Sequence, residues 1–138
     1  MIRSFFWMAE QAWSVVMYFW AVSAALFLLP CAALILRWRR LADSDWRTRA
    51  WLAAPFLMPI VVLLWGASMA HTDGSVAAPR WTPYVLGLLL LWSLFFFALC
   101  IWRTPGLRWA AAALAVLAAW FTLCSAFIAG MALTNDWL

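Results

Sequence analysis

The chain has 138 residues, of which 70% are hydrophobic and 10% charged, with a formal net charge of +4. An ordinary soluble domain carries about 45–50% apolar and about 25% charged residues. A chain this short cannot hide so much apolar surface in one water-soluble core, so the composition excludes a soluble globule and names lipid as the solvent.

The first apolar run long enough to span a bilayer lies at about 12–36, following Phe5, Phe6, Trp7 and Met8, which are expected to lie flat in the interface. The second lies at about 51–70, the third at about 83–102 and the fourth at about 109–133. None of the four holds an Asp, Glu, Lys or Arg in its interior. The runs are continuous rather than alternating, so they read as helices and not as barrel strands. The expected fold is therefore all-α: a polytopic membrane protein with four transmembrane helices in one bundle, a single domain over 1–138.

Local signals mark the ends. Asp43, Ser44 and Asp45 stand where they can cap the second helix, and Thr82-Pro83 reads as the cap and first turn of the third. Pro105-Gly106 predicts a tight turn before the fourth. Pro55 falls in a tolerated first turn, whereas Pro59 is interior and predicts a kink.

Every basic residue is an arginine. Arg37, Arg39, Arg40, Arg47 and Arg49 fill the first connection, and Arg103 and Arg108 the third; only Arg3 and Arg80 fall on the other side. The positive-inside rule then predicts both termini outside the cytoplasm. Beside apolar spans, the first cluster reads as a lipid-headgroup site rather than a nucleic-acid patch, with Asp43 and Asp45 offering internal pairing. Arginine without lysine, with abundant Ala, Leu and Trp, is the usage of a GC-rich bacterial genome, so the expected location is a bacterial inner membrane. Tryptophans fit two interfacial belts: Trp38, Trp46, Trp51, Trp102 and Trp109 on the arginine side, and Trp7, Trp13, Trp81 and Trp137 opposite. Trp20, Trp65, Trp92 and Trp120 lie deeper and read as helix-packing residues whose indole N–H groups want partners.

The fourth run carries the clearest packing pattern. Ala118, Thr122, Ala126 and Gly130 recur every four residues, with Ala111, Ala115 and Ala119 in a second row. Small residues at this spacing let another helix approach, from the same chain or another subunit.

Chemistry is thinly represented. Cys31, Cys100 and Cys124 each stand alone in an apolar run and read as small buried hydrophobes. His71 is the single histidine, which argues against bis-histidine haem ligation, and with Asp73 it makes too few ligands for a metal. Ser68 and His71 share a helix face, yet one turn apart they lack an oxyanion hole. Glu10 reads as an interfacial acid near a helix N-terminus. No catalytic residue, metal or cofactor is expected. The expected function is that of a small non-enzymatic subunit or accessory protein of a larger inner-membrane complex, of respiratory or transport type. Its partners would be membrane lipids and a membrane-protein neighbour. The alternative is a homo-oligomeric channel or small transporter, with Ser14, Ser23, Ser68, Ser93, Thr122 and Ser125 along a narrow path.

Overall fold

The computed structural model describes residues 2–69 and 78–134. Their regular structure is helical throughout: α1 (Ile2–Tyr18), α2 (Trp20–Leu36), α3 (Trp38–Ala42), α4 (Trp46–Ala53), a 3-10 turn (Ala54–Phe56), α5 (Leu57–Met69), α6 (Thr82–Trp102) and α7 (Arg108–Thr134). The protein is all-α, as its apolar runs require. Among the described residues, three helical stretches are long and apolar enough to cross a membrane: Trp46–Met69, α6 and α7. The pair α1 and α2 makes a fourth when counted as one bent span.

The apolar run expected over 12–36 thus contains a bend. The chain breaks at Phe19, whose φ of −95° and ψ of 41° leave the helical region, and α1 and α2 meet at 91°. No proline or glycine stands there. A side chain holds the corner instead: the Ser23 hydroxyl donates to the Val16 carbonyl at 2.8 Å, and it accepts the Trp120 indole N–H at 3.1 Å. In a straight helix residues seven apart are separated by about 10.5 Å along the axis, so the Ser23–Val16 bond exists only because the chain folds over. Phe19 packs edge-on against Trp120, with ring centroids 6.0 Å apart.

α1 buries one face in the bundle. Ser4, Met8, Ala12 and Val16 recur every four residues, and this face is buried. Met8, only 1% exposed, sits with Ala12 in a core built from Val62, Leu63 and Ala67 of α5, Leu86 of α6, and Ala126, Ile128, Ala129 and Leu133 of α7. Burying that apolar stripe outweighs leaving it at a lipid surface, because the small residues of α5 and α7 open a groove that Met8 fills.

α7 is the central helix. It packs against α1, α2, α5 and α6, and 50% of its most apolar stretch is buried, against 17% for α6. Alanine at Ala110, Ala111, Ala115, Ala118 and Ala129 lets neighbours close on several sides at once. α6, bulky nearly all round, lies at the edge.

Prolines and polar residues adjust the helix ends. The turn before Pro59 tightens into the 3-10 segment Ala54–Phe56, because the Pro59 ring crowds the carbonyl four residues back. Two expected caps are not formed as such. Asp45 flanks α4 without a capping side-chain bond, and the Ser44 hydroxyl donates to the Leu41 carbonyl. Thr82 likewise turns away from the helix it begins, donating to the Pro79 carbonyl at 2.8 Å. Both hydroxyls close the preceding turn, a competing use of short polar side chains.

The Pro105-Gly106 turn forms as expected, with Gly106 at φ +88°. Nothing crowds a Cβ there beyond ordinary contact with Arg40. The cost of Gly106→Ala is then backbone strain alone, about 1–2 kcal/mol. Chemical unfolding in mixed micelles should show that loss without a change in helix content.

Candidate functional site

The described residues offer two surfaces with a chemical character of their own: an arginine-rich end and an uncovered face of α6.

The arginine end is assembled from three segments. Leu41, Leu52, Leu107 and Ala111 pack together with Ile101, and so hold the α3–α4 corner against the α6–α7 turn. Arg103 stacks over the rings of Trp51 and Trp102 at 5.8 and 5.9 Å, and Arg47 over Trp46 at 5.9 Å. The Arg49 guanidinium donates to the Ala42 carbonyl at 2.9 Å and straps α4 to the end of α3. Arg39, Arg40, Arg47 and Arg49 are exposed and Arg37 is half-buried. The five residues expected to meet lipid headgroups thus stand on one end, beside Arg103 and Arg108. Trp38, Trp46, Trp102 and Trp109 are exposed around them, where amphipathic indoles favour a membrane–water boundary.

Below this end, a cleft of about 570 Å³ opens between α2, α3, α4 and α7. Leu34, Leu52, Phe56 and Leu114 line it, together with Trp38 and Arg49. A second hollow, of about 380 Å³, lies among Arg37, Arg39 and Arg40 and shares Trp38 with the first.

The small-residue rows on α7 are used within the chain. Ala118, Thr122 and Ala126 are buried, as are Ala111 and Ala115, while Ala119 and Gly130 are half-buried. Sequence reasoning missed a close approach on the partner helix. A Cβ on Gly66 would stand 2.7 Å from the Ala129 Cβ and 2.7 Å from the Met8 Cε. A lone glycine inside an apolar helix was the available signal.

Of the pair weighed for catalysis, Ser68 alone lies among the described residues. The Ser68 hydroxyl donates to the carbonyl of Trp65, at 2.7 Å, on an exposed face. His71 and Asp73 lie outside the described residues, as do Asp136 and Trp137. Among the described residues, no three of His, Cys, Asp and Glu gather where they could hold a metal. The cysteines are free, Cys100 and Cys124 buried and Cys31 half-buried. The hydroxyls weighed as a solute path mostly close on their own backbone: Ser14 on the Glu10 carbonyl, Ser93 on that of Leu90, and Thr122 on that of Ala118.

The chain matches no protein-family model, no curated protein and no solved structure. Function must therefore be argued from its surfaces.

The deep tryptophans divide. Trp120 finds Ser23, and Trp65 packs on Trp81 with ring centroids 5.9 Å apart while its buried N–H has no acceptor among the described residues. Trp20 and Trp92 face outward. Trp92 is the central residue of α6 and is 59% exposed, its ring leaning on Phe95.

Proposed function

We propose that this chain is a small non-enzymatic subunit or accessory protein of a larger complex in a bacterial inner membrane, of respiratory or transport type. The observation that supports this reading is Trp92. Ten residues of α6 stand on either side of it, about 15 Å of helix each way, so its indole lies near the middle of the hydrocarbon. Hydrocarbon offers an N–H no acceptor, and an indole there favours a neighbour that does. Leu88, Leu91, Leu94 and Phe95, all exposed, extend the face around it. A transmembrane helix of another subunit would cover that face and accept the bond. Apart from Glu10, exposed on α1, the described spans carry no charged residue away from their ends, and intramembrane charge is the usual mark of an autonomous ion or proton path.

A photo-crosslinking amino acid at Leu88 or Phe95 should capture a distinct membrane protein in the native membrane. Gentle extraction and native electrophoresis should place both in one large band. Capture of a second copy instead would transfer the reading to the homo-oligomeric channel or transporter, with flux into liposomes as its assay.

In this reading both termini lie outside the cytoplasm. With Cys31, Cys100 and Cys124 replaced by alanine, Arg3→Cys should react with a membrane-impermeant thiol reagent in intact spheroplasts. A cysteine in place of Arg40 should react only after lysis. The reverse pattern would overturn the orientation.

A further inference from the structure

We infer that the arginine end holds one anionic phospholipid in a built site, with an acyl chain in the Leu34–Leu114 cleft and the headgroup phosphate among Arg37, Arg39 and Arg40. Two observations meet here. The larger cleft is apolar along its walls, from Leu34, Leu52, Phe56 and Leu114. Its volume falls within the ~300–1,000 Å³ of sites that enclose a small ligand. The smaller hollow beside it is lined by three guanidinium-bearing residues. Trp38 is common to both. An occupant must therefore be apolar over one part and anionic over the other, with the junction at an indole.

Charge decides the class of head. Arginines outnumber acids five to two between Arg37 and Arg49. Arg37, Arg39 and Arg40 have no counterion built into the hollow's lining. A guanidinium offers a planar fork that matches phosphate oxygens two at a time. A zwitterionic lipid presents the same phosphate with a cation beside it, which these residues repel. Arg49 acts differently: its bond to the Ala42 carbonyl fixes one side of the cleft, so it positions the wall rather than the head. The site deepens the reading of this end as a membrane surface. It requires the arginine end to face a leaflet containing anionic lipid, which the cysteine-labelling pattern tests separately, and it does not depend on a partner subunit.

The test is native mass spectrometry of the full-length purified protein in detergent, titrated with phosphatidylglycerol or phosphatidylcholine of identical chains. The expected result is a single phosphatidylglycerol adduct that saturates well before any phosphatidylcholine adduct. Arg39→Gln with Arg40→Gln should weaken it about 30-fold, to the level of the zwitterionic lipid. Ala53→Trp and Ala42→Trp, at exposed positions lining the cleft, should fill the acyl groove and lower binding of both lipids; helical circular dichroism confirms their folding. Equal affinity for the two lipids would overturn the proposal. So would a phosphatidylglycerol adduct that both tryptophan variants leave unchanged.

Discussion

Gly66→Ala is expected to lower the unfolding free energy by about 1–3 kcal/mol, the usual cost of overpacking a filled interior, and Gly66→Leu to prevent assembly of the bundle end opposite the arginines. The reason is the closeness of α5 and α7. A Cβ on residue 66 would lie 2.7 Å from the Ala129 Cβ and 3.2 Å from its Cα. Those atoms belong to a helix backbone held by neighbours on several sides, so they cannot step back alone. The third close atom, the Met8 Cε, ends a flexible side chain that can swing away. The clash is therefore decided by Ala129. Ala129→Gly should recover part of the Gly66→Ala loss although it weakens the wild type, since an interior helical glycine costs about 1 kcal/mol. Met8→Ala should recover little and open a cavity of its own. Tryptophan fluorescence during denaturation in mixed micelles provides the free energies for the double-mutant cycle. Additive losses for Gly66→Ala and Ala129→Gly would show that the helices do not meet there.

Gly66 also shows what sequence alone could deliver. Continuous apolar runs disclose spanning helices because a bare backbone cannot face lipid, and the stretches Trp46–Met69, Thr82–Trp102 and Arg108–Thr134 match the expected second, third and fourth spans closely. The small-residue rows on α7 disclosed that this helix packs tightly, since Ala and Thr at four-residue spacing have few other uses in an apolar span. They did not disclose which helix would be met. That depends on complementary shape, and the complement is a single glycine that spacing rules do not weigh. The same limit hid the role of α1. Phe5, Phe6, Trp7 and Met8 look alike in hydropathy, yet only Met8 lies over the Gly66 gap, and its burial pulls the whole face from Ser4 to Val16 into the bundle. The arginine end was legible as charge, since Arg37, Arg39, Arg40, Arg47 and Arg49 lie close in sequence. The cleft beneath it was not, because Leu34, Phe56 and Leu114 come from three helices and meet only in the fold.

The corner at Phe19 is the feature furthest from sequence, and Ser23 is expected to control it. Ser23→Ala should cost about 1–3 kcal/mol, because it strands the Trp120 N–H and removes a donor from the Val16 carbonyl in surroundings without water. Trp120→Phe should cost less. It keeps a ring against Phe19, and the Ser23 hydroxyl still donates to Val16. The double variant should then be more stable than the sum of the single losses predicts, since the stranded donor is gone along with its lost acceptor. The conformational readout is the distance between spin labels at Trp13 and Phe27, both exposed, on either side of the bend. In a continuous helix those positions are about 21 Å apart along the axis, and a 91° corner brings them closer. Ser23→Ala should lengthen and broaden that distribution, while Trp120→Phe should leave it near the wild-type value. A distance unchanged by Ser23→Ala would mean that packing of α1 against α5 and of α2 against α7 holds the corner without the hydroxyl. The Ser23–Trp120 bond would then be a consequence of the bend rather than its cause.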